Sequence, residues 1–190
     1  VTQVSDDKKW VGVRIHADLY EGWIDEKQHH SITKEFFEQI NHTNYKISID
    51  LTSSLLYKKS PLTILLGSIV PISNSELFRM EEQFAFNGES KSLGQKRDYE
   101  FLKSIALKYM NAPYQWGGKS PFGIDCSGFT QMVFKISGYP MLRHASQQAN
   151  HGKKVNSISE ALPGDLAFFK DKDGHINHVG IILEDEKIIH

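Results

Sequence analysis

The chain's single cysteine, Cys126, stands where a nucleophile would be expected. Residues 126–137 are predicted to form a helix that begins at this cysteine, because Asp125 is a good N-cap and Gly138 a good C-terminal stop. Free N–H groups and the helix dipole favour negative charge at that end, so a thiol there is held partly as the reactive thiolate. The alternative is a small, buried and unreactive cysteine.

A thiol nucleophile also needs a general base and a group that orients the base, and the chain has 9 histidines to choose from. A three-residue turn is predicted to join the last two strands, which places His190 opposite Gly180 and on the same sheet face as His178. Diagonal neighbours of this kind are roughly 7–8 Å apart, within reach of two imidazoles. His175 is the rival base, but it falls in the preceding turn and is expected to be solvated. His175, His178 and His190 could also be zinc ligands, but no HExxH or CxxC pattern accompanies them, so we expect neither a metal nor a cofactor.

The order of elements in the second half of the chain predicts an α+β fold. An amphipathic helix over 97–110 precedes a loop and the helix of Cys126, and a short helix follows over 146–151. An antiparallel meander then closes the chain, with strands at 166–170, 178–183 and 187–190.

The pattern of short apolar segments in the first half of the chain, to about residue 90, predicts short strands. Apolar residues alternate over Trp10–Ile15, Asp18 and Leu19 suit a turn, and residues 20–24 form the returning strand. A short helix is predicted over Lys34–Ile40, capped by Ser31 or Thr33. Further strands are predicted at 45–51, 54–58, 62–66, 69–72, 76–80 and 84–86. Short strands at a spacing of about 8–12 residues predict a small barrel, and the polar segment 83–96 is the predicted domain boundary.

Composition excludes several classes of protein. Hydrophobic residues make up 39% and charged residues 24%, as in ordinary globular proteins. The net charge of −1 provides no field for nucleic acid or an anionic membrane. The most apolar stretch, Leu62–Ile72, is interrupted and falls short of the roughly 20 residues that span a bilayer. The first ten residues contain no apolar core of a signal peptide, and the chain begins at Val1, so localisation cannot be inferred from them.

Residues 96–190 contain a series of short motifs in a fixed order: PYQWGG (113–118), GIDCSGF (123–129), RHASQQ (143–148), PGDLAFF (163–169), NHVGI (177–181) and His190. These motifs resemble those of the NlpC/P60 family of cysteine peptidases, which cut bacterial cell-wall peptides. This resemblance implies a papain-like catalytic domain in which N-terminal helices pack on an antiparallel sheet. The first half resembles bacterial SH3 domains, through Trp10–Val13 and Tyr20–Ile24.

The resemblance also implies roles for individual residues. Cys126 would be the nucleophile, His178 the base and His190 the group that orients it. The hydroxyl of Tyr114 would point toward the cysteine and help to hold the oxyanion. Substrate contacts are implied for Asp125, Ser127, Trp116, Ser146 and, from an SH3 domain that forms one wall of the cleft, Tyr20.

Some of these residues also have a structural interpretation. Asp125 could be only a helix cap, or could serve both purposes. Tyr114 and Trp116 could be ordinary core aromatics. Arg143 is interpreted as anchoring a loop and not as binding substrate.

Three domains are predicted. Residues 1–30 would be the C-terminal part of a first SH3-like domain, residues 31–92 a second one, and residues 93–190 the peptidase domain. Both ends are expected to be truncated, because the opening strands of the first domain and a final strand or so of the peptidase domain are missing.

The implied substrates are peptidoglycan stem peptides with a free N-terminal L-Ala, cut between γ-D-Glu and a diamino acid, either diaminopimelate or Lys. We expect a monomer that works in the bacterial periplasm or cell envelope, or in the cytoplasm during murein recycling. Two alternatives stay open: a non-catalytic or regulatory SH3 module that binds the cell wall, and a CHAP-type amidase or acyltransferase of related fold. The segments Tyr114–Gly118 and Asp125–Gly128 favour the NlpC/P60 peptidase.

Overall fold

The chain divides into two units, Val1–Thr43 and Asn44–His190, in a computed structural model that describes residues 1–57, 60–70 and 84–190. This division falls within the predicted second domain, and the three predicted domains stay a prediction. Within the described ranges, none of the helices has the length and apolar character needed to cross a bilayer.

The first unit is a three-stranded antiparallel sheet followed by one helix. Its elements are β1 (Gln3–Val4), β2 (Trp10–Arg14), β3 (Glu21–Asp25) and α1 (Lys34–His42), with β2 in the centre of the sheet. The predicted turn is confirmed, since Asp18 Oδ1 accepts a hydrogen bond from Tyr20 N at 3.1 Å and Leu19 has a φ of 58°. The predicted helix is also confirmed, and Thr33 is its cap through a 3.2 Å bond from Phe36 N.

Among its described residues, the second unit begins with six short strands that form two three-stranded antiparallel sheets. The strands are β4 (Lys46–Ser48), β5 (Thr52–Tyr57), β6 (Ser60–Leu65), β7 (Ile69–Val70), β8 (Phe84–Asn87) and β9 (Ser90–Ser92). One sheet has the order β7-β4-β9 and the other β6-β5-β8. The predicted strand at 76–80 and the end of the one at 69–72 lie outside the described residues.

Strand β9 was missed by the sequence analysis. It lies in the polar segment 83–96 and pairs with β4, so that Lys46 is opposite Ser92. Its side chains show no apolar alternation that would predict a strand. The strand forms because its backbone is hydrogen-bonded to β4. Lys91, which retains only 7% of its exposed area, is buried there despite its charge.

The remaining elements are the helices and the meander that the sequence predicts, together with a short hairpin of β10 and β11 that lies where a loop was predicted. They are α2 (Tyr99–Lys108), β10 (Lys119–Ser120), β11 (Gly123–Ile124), α3 (Cys126–Ile136), α4 (Ala145–Gln148), β12 (Leu166–Lys170), β13 (Ile176–Ile182) and β14 (Ile188–Ile189). Helix α2 begins two residues later than predicted, because Asp98 caps it by accepting from Phe101 N at 3.1 Å. Helix α4 ends at Gln148, three residues earlier than predicted, and Gly152 follows with a φ of 80°.

The core of the second unit joins its strands to its helices. Leu102, Ile105, Phe129, Val133 and Ile136 of α2 and α3 pack with Ile181 of β13. The same cluster contains Ile47 of β4 and Leu66, which directly follows β6. Strand β4 and the residue that follows β6 therefore share one hydrophobic core with α2, α3 and β13.

Candidate active site

Cys126 is the first residue of α3, as predicted. Its predecessor Asp125 has an extended backbone and caps the helix by accepting a hydrogen bond from Gly128 N at 2.7 Å. The cysteine is free and partly exposed. A thiol at this position faces the N–H groups that an α-helix leaves unpaired at its start.

The two histidines predicted to cooperate do lie together. Ile181 is paired with Ile189, so the antiparallel register places His190 opposite Gly180, as the sequence predicts. His178 Nε2 and His190 Nδ1 are 2.9 Å apart, and the two rings are perpendicular with centroids 4.8 Å apart. This hydrogen bond occupies one ring nitrogen of His178 and leaves Nδ1 for a second partner.

The tautomer that suits a base follows from this bond. If His178 is to accept a proton at Nδ1, its Nε2 must carry the hydrogen and donate it to His190 Nδ1. His190 is then the acceptor that orients the ring. Burial, followed by the neighbouring charge of His190, lowers the pKa of His178 below its ordinary value, which keeps the imidazole neutral and able to take a proton.

A cavity of about 190 Å³ brings the thiol and both imidazoles to one place. Its wall includes Cys126, His178, His190, Tyr114 and Asp125. The other lining residues are Tyr109, Met110, Asn111, Ala112, Ile124, Phe129 and Ile189.

Tyr114 enters this cavity from the loop after α2. It is 69% exposed and forms an isolated parallel bridge with Ile124, two residues before the cysteine. Tyr114 is thus a cavity aromatic and not a core residue. Its predicted role at the oxyanion stays a prediction.

The lining segment Met110–Ala112 was missed as part of the site. The sequence analysis placed Met110 at the end of the predicted helix over 97–110 and the next residues only in the loop that follows it. Asn111 adopts a φ of 64°, a left-handed conformation that asparagine tolerates better than most residues and that turns the chain toward the cavity. The asparagine that follows the helix was the sequence feature that could have indicated this turn.

Asp125 is held by a buried network. Its Oδ1 accepts from Gly128 N and from Arg143 Nη1 at 2.9 Å, and its Oδ2 accepts from Gly117 N at 2.8 Å and from Arg143 Nη2 at 2.6 Å. Ser127 Oγ donates to Oδ1 at 3.3 Å and accepts from Arg143 Nη1 at 2.9 Å. Arg143 therefore anchors a loop, as interpreted, by bonding to both oxygens of the residue that caps α3.

This network decides the charge of Asp125. Burial alone would raise the pKa of the Asp125 carboxyl, but hydrogen bonds from Arg143, Gly128 and Gly117 outweigh it and lower the pKa below its usual range. A substrate ammonium at Asp125 would have to share oxygens that already have these donors. Its predicted substrate-binding role stays a prediction, and its role as a cap is confirmed.

The other residues predicted to contact substrate lie as follows. Trp116 is 84% exposed and Ser146 is exposed in α4, and neither lines the cavity. Ser127 is buried beside Arg143, behind the cavity wall. Tyr20 belongs to the first unit, and its predicted role as a cleft wall stays a prediction.

His175, the rival base, lies apart from the cavity. It sits in the turn between β12 and β13 with a side chain that is 81% exposed, and its Nδ1 is 3.8 Å from Asp171 Oδ2. Asp171, Asp173 and His175 are the group of possible metal ligands among the described residues. His178 and His190 are not part of that group.

The sequence comparisons agree with one another. Residues 111–190 match the sequence profile of the NlpC/P60 family. The whole chain aligns with a gamma-D-glutamyl-L-lysine dipeptidyl-peptidase of Bacillus subtilis at 30% identity, covering 68% of that protein. It aligns with a protein of the same name from Bacillus cereus at 27% identity, covering 64% of it. The chain thus spans about two thirds of the length of these relatives.

The fold has a solved counterpart. The crystal structure of an NlpC/P60 family protein from Bacillus cereus superposes with a TM-score of 0.82 and 25% identity. The superposition covers 99% of this chain and 69% of that one. The similarity therefore extends beyond the segment that matches the family profile.

Proposed function

Because this chain belongs to the NlpC/P60 family, a family of cysteine peptidases that act on peptidoglycan, we propose that it hydrolyses the γ-D-glutamyl–diamino acid bond of cell-wall stem peptides. The observation that carries the proposal is the 2.9 Å bond between His178 Nε2 and His190 Nδ1 in the cavity that also contains Cys126. A thiol, a neutral base and an orienting acceptor together form the machinery of covalent acyl transfer.

The proposed reaction has two steps. His178 Nδ1 takes the proton of the Cys126 thiol as sulfur attacks the γ-carbonyl of D-Glu, and the carbonyl oxygen becomes an oxyanion near the Tyr114 hydroxyl. The intermediate collapses, the amine of the diamino acid leaves with the proton from His178, and a thioester remains. Water, deprotonated by His178, then attacks the thioester; the C–S bond breaks, the Cys126 sulfur takes the proton back from His178, and the γ-carboxylate is released.

The names of the relatives support the choice of bond. A gamma-D-glutamyl-L-lysine dipeptidyl-peptidase releases a dipeptide that ends in γ-D-Glu, which requires a free amino terminus two residues before the cut. We propose the same requirement here, with L-Ala as the first residue. The diamino acid would be Lys or diaminopimelate.

Hydrolysis of a synthetic stem peptide tests the proposal directly. Wild-type protein incubated with L-Ala-γ-D-Glu-L-Lys should release L-Ala-γ-D-Glu and lysine, and the diaminopimelate peptide should be tested in parallel. The Cys126→Ser variant should fold normally, since the change is nearly isosteric, and should not turn over. Hydrolysis by the serine variant at the wild-type rate would refute the mechanism.

The same assay separates the alternatives. With a muramyl-L-Ala-γ-D-Glu-L-Lys peptide added as a further substrate, cleavage of its muramyl–L-Ala bond in place of the γ-D-Glu bond would indicate a CHAP-type amidase. Transfer of the dipeptide to an added amine in preference to water would indicate an acyltransferase. Binding to cell walls without cleavage of any peptide would indicate a wall-binding module.

A second comparison tests the free amino terminus. N-acetyl-L-Ala-γ-D-Glu-L-Lys lacks the ammonium charge, and a charge-assisted contact contributes roughly 1.5–3 kcal/mol. We expect kcat/KM to fall at least about tenfold on acetylation. Equal rates on both peptides would identify an endopeptidase whose cleft is open at that end.

We further propose that the short antiparallel strands of residues 1–30 and 31–92 belong to SH3-like domains that restrict the substrate or anchor the enzyme to the wall. The partner that we propose is the stem peptide itself. We also propose that the protein is a monomer, and that it works in the cell envelope or in the cytoplasm during murein recycling. Sedimentation of the purified chain and fractionation of the native cells would test these statements.

A further inference from the structure

A buried ion pair lies directly behind the candidate nucleophile. Arg143 Nη2 and Asp125 Oδ2 are 2.6 Å apart, and their side chains are only 9% and 8% exposed. Arg143 comes from the loop before α4, eighteen positions after Asp125 along the chain. A charged pair withdrawn from water to this extent is costly unless its geometry is well matched, so its placement beside the site calls for an explanation.

The position of Asp125 creates an electrostatic problem for the chemistry. It directly precedes Cys126, and both residues line the same cavity. A carboxylate next to a thiol disfavours the thiolate, because two negative charges would have to form side by side in a partly dry environment. The helix needs an N-cap oxygen at this position, but the nucleophile does not benefit from the cap's charge.

The guanidinium removes this conflict. Arg143 bonds to both oxygens of Asp125 in the paired geometry that suits arginine and carboxylate. The pair is neutral as a whole, so the cap keeps its hydrogen bonds to Gly128 N and Gly117 N without presenting a net negative charge to the thiol. The Gly117 bond also ties the loop that carries Tyr114 to the start of α3.

We propose that Arg143 is a positioning residue that neutralises Asp125, so that the Cys126 thiol can ionise, and that its two-pronged bond holds the first turn of α3 against the Gly117 turn. This inference rests on the proposed function only in taking Cys126 as the nucleophile. Arg143 itself does not line the cavity and acts through Asp125.

Other ionisable groups also face the thiol. The cavity wall carries Tyr109, Tyr114, His178 and His190 in addition to Asp125. Lys119 is a further ionisable residue beside the first turn of α3, since its Cγ would lie 3.4 Å from a Cβ at Gly128. These groups stay constant in the variants below, which makes differences between variants attributable to the Asp125–Arg143 pair.

The pH dependence of thiol alkylation tests the inference without substrate. Iodoacetamide labelling of Cys126 would be followed from pH 5 to pH 10 in the wild type, Arg143→Gln, Asp125→Asn and the double variant. We expect Arg143→Gln to raise the midpoint by about one pH unit, because an uncompensated carboxylate then faces the thiol. Asp125→Asn should lower the midpoint, because the guanidinium charge is left uncompensated, and the double variant should return to the wild-type midpoint.

Arg143→Lys separates charge from geometry. Lysine keeps the positive charge but cannot make the two-pronged bond, so the midpoint should stay near that of the wild type while kcat on the stem peptide falls and KM changes little. Lys103→Gln is the matched control, because it removes a cation from the Lys103–Glu184 ion pair, which is not part of the cavity. Its labelling curve should coincide with that of the wild type.

Near-UV circular dichroism would verify that each variant is folded at each pH. If Arg143→Gln fails to fold, Asp125→Asn and the double variant still decide the matter, since neither leaves a buried carboxylate without a partner. Equal midpoints for the wild type and Asp125→Asn, or shifts of Arg143→Gln and Asp125→Asn in the same direction, would overturn the inference. Failure of the proposed function would appear separately, as peptide hydrolysis that persists in Cys126→Ser.

Discussion

His178 has one ring nitrogen bonded to His190 and the other directed at no described partner, so its chemistry depends on a single tautomer. The proton on Nε2 is shared with His190, and Nδ1 is free to accept the proton of the thiol. The roles proposed for Cys126, His178 and His190 can each be tested by replacing one side chain at a time.

Replacing each histidine separately identifies the base. His178→Ala should lower kcat by about 10²–10⁴-fold, the usual contribution of a positioned base. His175→Ala is the matched control from the same strand region and should retain nearly full activity, because its side chain is 81% exposed and lies outside the cavity. Steady-state hydrolysis of the stem peptide measures both, and the reverse ranking would assign the base to His175.

The orienting role that we propose for His190 requires only an acceptor for the Nε2–H of His178. His190→Asn or His190→Gln supplies an amide oxygen, so either should retain more activity than His190→Ala. Single-turnover kinetics would compare the three variants. Equal losses for Asn, Gln and Ala would show that His190 contributes packing only.

The pH profile should reflect the lowered pKa of His178. Burial and the charge of His190 disfavour the protonated ring, so kcat/KM should decline in acid with a midpoint below the ordinary histidine value of about 6.5. His190→Asn removes the neighbouring charge and should move this midpoint upward. A wild-type midpoint at or above the ordinary value would contradict the assignment.

The same shift has a consequence for folding. Between the two pKa values the unfolded chain binds a proton at His178 that the folded chain does not, so the free energy of unfolding should decrease as the pH falls through about 6.5. Chemical denaturation at a series of pH values would detect this decrease. It should be absent in His178→Ala.

At the scale of elements, the register of β13 and β14 determines whether the two histidines meet. The pairs Ile181–Ile189 and Ile182–Ile188 set this register. Gly180 permits the close approach of the strands, since a Cβ there would lie 2.5 Å from Ile188 Cγ2 and 2.9 Å from the Ile189 carbonyl oxygen. A one-residue slip would move His190 to the opposite face of the sheet.

Gly180→Ala should therefore reduce activity without touching a catalytic group. The added methyl also meets His190 Cβ at 3.1 Å, so β14 has to shift and carry the orienting imidazole with it. We expect at least about a tenfold loss in kcat, since displacements near 1 Å can cost about 10²-fold. Gly94→Ala is the control, because no atom lies within 4 Å of its Cβ position, and wild-type activity in Gly180→Ala would refute the argument.

At the scale of the whole molecule, the second unit has one continuous core. Ile47 and Leu66, from the part of the chain with short strands, are 0% and 2% exposed and pack in the same cluster as Ile105 and Val133 of the catalytic helices. The strands before residue 93 are thus part of the structure that supports the site. The predicted domain boundary at 92/93 stays a prediction.

Leu66→Ala tests this continuity. Removing a buried leucine should lower the free energy of unfolding by about 2–5 kcal/mol, and thermal loss of peptidase activity should shift together with the unfolding of the strands. Leu56→Ala, at a position 43% exposed, should change stability by only about 0.5 kcal/mol or less. Calorimetry could instead show two separate unfolding transitions, of which Leu66→Ala shifts only one. Loss of activity with the transition that Leu66→Ala leaves unchanged would contradict a shared core.

The local elements of the site could be predicted from the sequence alone, because their signals are short-range. Asp125 before Cys126 and Gly138 after the helix specify where α3 begins and ends, and the actual bounds agree. The turn before the last strand sets a register that places His190 opposite Gly180, which follows from counting residues. Helix caps, turns and the alternation of apolar and polar residues each depend on only a few neighbouring residues, so they can be predicted from the sequence.

Only the tertiary structure decided what surrounds those elements. Arg143 lies eighteen positions from Asp125, and nothing in the local pattern indicates that its guanidinium turns inward to neutralise the helix cap. Strand β9 forms in a polar segment because β4 offers a ladder to it, and Met110–Ala112 line the cavity because of how α2 ends. These features depend on contacts between distant parts of the chain, and such contacts are determined by the packing of the folded molecule.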